Sequence, residues 1–168
     1  MIDRIVKWIK DYADDNKISS LVVGVSGGID SALVSTLCAK TGLPTHCVLM
    51  PIHQHPDHTK RGLNHVRWLQ KDHKLVGLHE FDLTEVYDKF VDTMQYASSE
   101  LGFANSRSRL RMITLYQLAT TTNGLVVGTG NKVEDFGVGF YTKYGDGGVD
   151  ISPIADLTKT EVYQLAKE

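Results

Sequence analysis

Leu21-Val22-Val23-Gly24-Val25 is an unbroken apolar run that gives way at once to Ser26-Gly27-Gly28 and then to a helix-forming stretch, Ile29 to Lys40. A β-branched run without alternation fits a strand covered on both faces, the habit of parallel sheets with helices on either side. The chain must pass from that strand into the helix through two glycines. Such a turn leaves backbone N–H groups at a helix N-terminus, where the helix dipole favours negative charge. Gly27 and Gly28 let an anion approach the backbone closely and tolerate positive φ. Ser26 and Ser31 add hydroxyls. The anion this turn suits is phosphate.

The turn does not end in the Gly-Lys-[Ser/Thr] of a Walker A loop; it ends in Gly28-Ile29-Asp30-Ser31. A carboxylate beside a bound polyphosphate repels it unless a cation such as Mg²⁺ lies between them. The alternative is that Asp30 only complements the helix dipole, with Ser26 and Ser31 as caps.

The chain has 168 residues, 42% hydrophobic and 23% charged, with a net charge of −2. That predicts one globular domain, 1–168, with a substantial core. The balance of charge gives no basis for bulk binding to nucleic acid or to an anionic membrane. No apolar run is long enough to span a bilayer. Met1-Ile2-Asp3-Arg4 does not read as a signal peptide, and Cys38 and Cys47 form no C-x-x-C, so a cytoplasmic location is expected.

Helical spacing predicts an amphipathic helix over 2–15, and Gly42 is expected to stop the helix that begins at Ile29. Pro44 to Met50 reads as a second strand. Residues 51–60 read as a polar loop that faces substrate, followed by a helix over 58–72. His53, His55 and His58 lie in that loop; their H-x-H-x-x-H spacing sits on no regular element and argues only weakly for zinc. Leu75 to Leu83 reads as a third strand. Asp82 and Glu85 resemble a capping box for a helix to about Ala97. Residues 98–104 read as a turn, and 105–122 as a long helix whose first turns carry Arg107, Arg109 and Arg111. Arginine there serves either a solvated face or an anionic substrate.

Leu125-Val126-Val127-Gly128 echoes Leu21-Val22-Val23-Gly24. Two buried parallel strands side by side would bring Ser26–Ser31 and Thr129–Glu134 to one crevice, the switch point where open α/β sheets bind ligands. The fold expected is therefore α/β, an open doubly wound parallel sheet with helices on both faces. Residues 137–150 hold five glycines with Phe140, Tyr141 and Tyr144, a long loop of functional character. Thr158-Lys159-Thr160-Glu161 opens a last helix with a capping box.

Ser26-Gly27-Gly28-Ile29-Asp30-Ser31 resembles the pyrophosphate loop of the N-type ATP pyrophosphatases, which are Rossmann-like enzymes of the adenine-nucleotide alpha-hydrolase type. Asn105–Met112, Gly128–Glu134, Phe140–Asp150, and Pro153 with Leu157-Thr158-Lys159 are similar to segments of the ammonia-type NAD synthetases. That resemblance implies a ligase that converts deamido-NAD⁺, ATP and ammonia to NAD⁺, AMP and pyrophosphate through an acyl-adenylate. It implies Asp30 and Glu134 as Mg²⁺ ligands. It places Gly24, Val25, Ser26, Gly27, Gly28, Ile29, Asp30, Ser31, Thr129 and Lys159 on ATP, and Arg109, Lys143 and Asp150 on deamido-NAD⁺. Asp30, Asp146 and Lys159 are the implied catalytic residues. One extra residue between Glu134 and Lys143 leaves Asp135 as a second candidate ligand. The family also implies a homodimer and a C-terminal segment beyond Glu168, so this chain is expected to lack that segment. Two alternatives stay open: a related adenylating enzyme such as a tRNA-thiolating one, and a non-catalytic nucleotide-binding fragment.

Overall fold

A computed structural model describes residues 1–168, the Phe136 side chain excepted. Four strands form one parallel sheet: β1 (Ser20–Gly24), β2 (Thr45–Leu49), β3 (Val76–Glu80) and β4 (Gly124–Val126), in the order β3-β2-β1-β4. The helices are α1 (Ile2–Asp15), α2 (Ile29–Lys40), α3 (Pro56–Asp72), α4 (Thr84–Thr93), α5 (Glu100–Thr122) and α6 (Lys159–Leu165). A single π-helical turn spans Val133–Val138. The sheet grows outward from β1 in one direction through β2 and β3. The chain then returns to lay β4 on the other side of β1, as a doubly wound sheet does.

Alternation along the strands sorts the core into two faces. Leu21, Val23, Leu125 and Val127 pack with Ile9 and Ala13 of α1, with Leu33, Val34 and Leu37 of α2, and with Val162 and Leu165 of α6. On the same side, Cys47 and Leu49 meet Val66 and Leu69 of α3. Val22, Val48 and Val126 point the other way, to Tyr87 of α4 and Ala119 of α5. Helices therefore cover both faces, as expected, and Leu21–Val23 of β1 is an unbroken apolar run because the strand has no solvent side. Seven residues of α2 are buried, on more than one stripe, since it is wedged among α1, α3, α6 and the sheet.

Several boundaries differ from the sequence reading; β3 is shorter at both ends than Leu75–Leu83, and α4 stops at Thr93 rather than near Ala97. The helix expected from residue 58 begins two residues earlier, at Pro56. Pro56 occupies the first turn, where its missing N–H costs nothing, and the His55 side chain accepts from Asp57 N. Residues 100–104 are also helix, because Ser99 caps α5 by accepting from Gly102 N at 2.9 Å. The capping box at Asp82 and Glu85 does not form. Leu83 is the residue before α4, and Asp82 instead makes a tight turn by accepting from Thr84 N at 2.9 Å. The box at Thr158 and Glu161 is present in full.

Burial pushes the thiols of Cys38 and Cys47 up, Cys47 to about 12. Neither is expected to react with a thiol reagent at pH 8 until the chain unfolds; rapid labelling of the native protein would contradict this packing. Leu37→Ala should cost about 2–5 kcal/mol in urea unfolding, because Leu37 is 1% exposed at the centre of the α2 layer.

Candidate active site

The glycine turn leaves β1 at the carboxyl edge of the sheet. Gly28 precedes α2 with extended backbone, and no side chain caps that helix, so its first amides face outward. Gly27 has φ +84°, and a Cβ there would stand 2.5 Å from the His58 carbonyl oxygen. The first turn of α3 thus backs the loop, and only glycine fits between them. Ser31 is 2% exposed. Its hydroxyl accepts from Ser26 N at 3.2 Å and donates to Gly28 O at 3.0 Å, so it fastens the turn from within.

β4 pairs with β1 in the register Leu21↔Leu125 and Val22↔Val126. That pairing delivers Thr129–Glu134 beside the glycine turn at the switch point. Asp30 in the first turn of α2, Glu134 in the π-helical turn and Lys159 at the start of α6 converge there. Lys159 Nζ lies 2.5 Å from Asp30 Oδ2 and 3.3 Å from Glu134 Oε1. Burial alone would lower the Lys159 pKa, but the two carboxylates outweigh it and hold the ammonium above its ordinary value. The carboxylates share one cationic atom, so they already stand within reach of a common point. An all-oxygen pair of this kind, completed by water and phosphate, is the donor set Mg²⁺ takes. Asp135 does not join them; it lies against Gly130. Burial first, then Asp146 and Glu134, raise its pKa.

A cleft of about 610 Å³ opens from this edge, large enough for a nucleotide. Gly24, Val25, Ser26 and Thr129 line it together with Phe140, Tyr141 and Asp146, whereas Asp30, Glu134 and Lys159 lie outside the lining. Asp146 accepts from the Ser108 hydroxyl and Thr142 N, both at 2.8 Å, which fixes the glycine-rich loop onto α5. Arg109 Nε donates to Lys143 O at 3.2 Å, placing those two residues together outside the cleft lining. Asp150 uses both carboxylate oxygens internally, on the Tyr116 hydroxyl at 2.9 Å and Val126 N at 2.8 Å. Burial and that contact push Tyr116 up to about 12.

The three histidines do not assemble. His53 pairs with Asp88 at 2.6 Å, His55 caps α3, and His58 takes a hydrogen bond from Arg61 at 2.9 Å. Among the described residues no group of three or more His, Cys, Asp or Glu could hold a metal ion. Two more residues help to build the site: Asn131, which the sequence does not mark, and Arg111, one of the three arginines for which an anionic substrate is one reading. Asn131 is fully buried and donates to Asp30 Oδ1 at 3.1 Å. Arg111 lines the cleft and donates from Nε to Met50 O at 3.0 Å; burial first, then Arg107, lower its pKa.

The NAD synthase family matches residues 1–168. The chain belongs to this family. It is 42% identical over 170 residues to the NH(3)-dependent NAD(+) synthetase of Alkaliphilus metalliredigens, covering 97% of this chain and 68% of that protein. The enzyme of the same name from Sulfolobus acidocaldarius is 40% identical over 167 residues, covering 97% and 57%. Among solved NAD synthase folds, the NMN synthetase from Francisella tularensis superposes with a TM-score of 0.92 at 32% identity, covering 99% of this chain and 68% of that one. The NH3-dependent NAD synthetase from Campylobacter jejuni, in complex with nitrate, gives 0.89 at 30%, covering 99% and 70%. The chain thus spans about two thirds of the length of most of these relatives, and 57% of the Sulfolobus protein.

Gly27→Ala should both strain the turn and drive α3 away from it. A loss of about 1–3 kcal/mol in chemical unfolding is expected, with weaker ATP binding by calorimetry. Unchanged stability and affinity would mean that the turn does not carry the phosphate.

Proposed function

We propose that this chain is the catalytic unit of an NH3-dependent NAD⁺ synthetase that amidates deamido-NAD⁺ at the expense of ATP. The observation that carries this reading is the meeting of Asp30, Glu134 and Lys159 beside an uncapped α2 N-terminus, at the same sheet edge from which a nucleotide-sized cleft lined by Ser26 and Thr129 opens. Membership of the NAD synthase family supports it and weighs against a tRNA-thiolating role.

A carboxylate and ammonia do not form an amide directly, because oxide is a poor leaving group. In the proposed reaction the nicotinate carboxylate oxygen attacks the α-phosphorus of ATP. The bond from that phosphorus to its bridging oxygen breaks, and pyrophosphate leaves onto the amides at Gly28–Asp30. Ammonia then attacks the acyl carbon, AMP departs with the former carboxylate oxygen, and the surplus proton passes to solvent. Asp30 and Glu134 would hold Mg²⁺, which when bound neutralises charge on the leaving pyrophosphate. Lys159 supplies a second positive charge to the same phosphates. Thr129 stands on the ATP side of the cleft. Arg109 and Lys143 would meet deamido-NAD⁺, and Asp146 would hold the glycine-rich loop closed over the ammonia step. Asp150 anchors that loop to α5 and β4, from where it would contact the dinucleotide. By family resemblance the working form is a cytoplasmic homodimer. Among the described residues no helix is long and apolar enough to cross a membrane.

The Francisella likeness raises a second substrate, nicotinic acid mononucleotide, for the same chemistry. Incubation with ATP, Mg²⁺, ammonia and either acid separates the two. The expected products are NAD⁺, AMP and pyrophosphate from deamido-NAD⁺. Amidation of the mononucleotide alone would replace the dinucleotide reading, and release of pyrophosphate from neither would refute the assignment. Asp30→Asn should lower turnover by roughly a hundredfold or more, the scale of metal charge stabilisation, and change ATP affinity far less. A change in affinity alone would mark a nucleotide binder.

A further inference from the structure

Asn131 is a fully buried polar residue to which the proposed reaction assigns no step. It follows β4 and precedes the π-helical turn. Its Nδ2 donates to Asp30 Oδ1 at 3.1 Å, across 101 residues of sequence. Its Oδ1 accepts from Val133 N at 3.0 Å and from Glu134 N at 3.2 Å. Only one orientation of the amide satisfies these partners, since the carboxylate needs a donor and the two backbone amides need an acceptor. The backbone is tied as well: Lys132 N donates to Leu157 O at 3.0 Å, and Asp135 N to Asn131 O at 3.0 Å. One side chain therefore grips Asp30 with one end and the backbone of Glu134 with the other. Lys159 holds the remaining oxygen of Asp30. The β1–β4 ladder ends at Val22 and Val126, well before either carboxylate, so their final spacing depends on such a link.

We propose that Asn131 is the positioning residue that sets the separation of the Asp30 and Glu134 carboxylates, and thereby the affinity of this edge for a divalent cation. The proposal rests on reading those two carboxylates as the metal ligands. Asn131 touches neither metal nor substrate; it acts through the residues that do. Groups that orient metal ligands typically contribute ten- to a hundredfold in affinity.

The discriminating variant is Asn131→Ser. A serine hydroxyl still accepts from the Val133 and Glu134 amides, as serine does at turn and helix starts, but is too short to reach Asp30. Asn131→Ala removes both links. The readout is binding of Mn²⁺, alone and with α,β-methylene-ATP, followed by loss of the free-ion electron paramagnetic resonance signal, together with the melting temperature. Asn131→Ser should melt close to wild type and bind Mn²⁺ about ten- to a hundredfold more weakly. Asn131→Ala should show the same weakening and also melt lower. Wild-type Mn²⁺ affinity in Asn131→Ser would overturn the proposal and leave Asn131 as a turn cap. Wild-type affinity in Asp30→Asn would overturn the metal reading, and the proposal with it.

Discussion

Everything at this site depends on β4 lying parallel to β1 in one register. Side chains alternate along a strand, so a slip of one residue would turn Leu125 and Val127 away from the α1–α2–α6 layer and send Val126 into it. The same slip would carry Thr129, Asn131 and Glu134 away from the glycine turn. The hydrophobic pattern of three residues thus fixes the position of a carboxylate eight residues further on. Val127, bridged to Ile151, extends the constraint to the segment that leads to Lys159.

The second constraint is electrostatic. Asp30 and Glu134 repel each other, and the chain tolerates their approach because Lys159 stands between them. These groups are partly exposed, the side chains of Lys159, Asp30 and Glu134 retaining 37%, 17% and 43% of their accessibility. Solvent screening therefore keeps the net stabilisation small. The arrangement stores little energy but fixes geometry, and a cluster held by moderate attractions can exchange partners when a polyphosphate arrives. Tight, dry ion pairs would resist that exchange.

Much of this was legible in the sequence because it is local. Strands β1 and β4 announce themselves as β-branched runs and the Thr158–Glu161 box as a helix start; of the two glycines read as tolerating positive φ, Gly27 adopts it and Gly28, at φ −90°, does not. Asp30 stands out in the sequence because an acid where a phosphate belongs calls for a cation. The starts of α3 and α5 were missed because proline at Pro56 and the polar stretch around Ser99 read as loop, although both are good helix beginnings. Asn131 was illegible as a positioning residue, since its role exists only through Asp30, 101 positions earlier. Asp150 shows the opposite case. The resemblance marks it for the dinucleotide, and the fold reveals that Tyr116 and Val126 occupy both its carboxylate oxygens.

The claim that joins these observations is that this edge activates a carboxylate by adenylation. Deamido-NAD⁺ labelled with ¹⁸O in its carboxylate tests it most directly. After turnover with ATP, Mg²⁺ and ammonia, mass spectrometry of AMP should find one labelled oxygen in its phosphate and none in pyrophosphate. Unlabelled AMP, or label in pyrophosphate, would contradict the account.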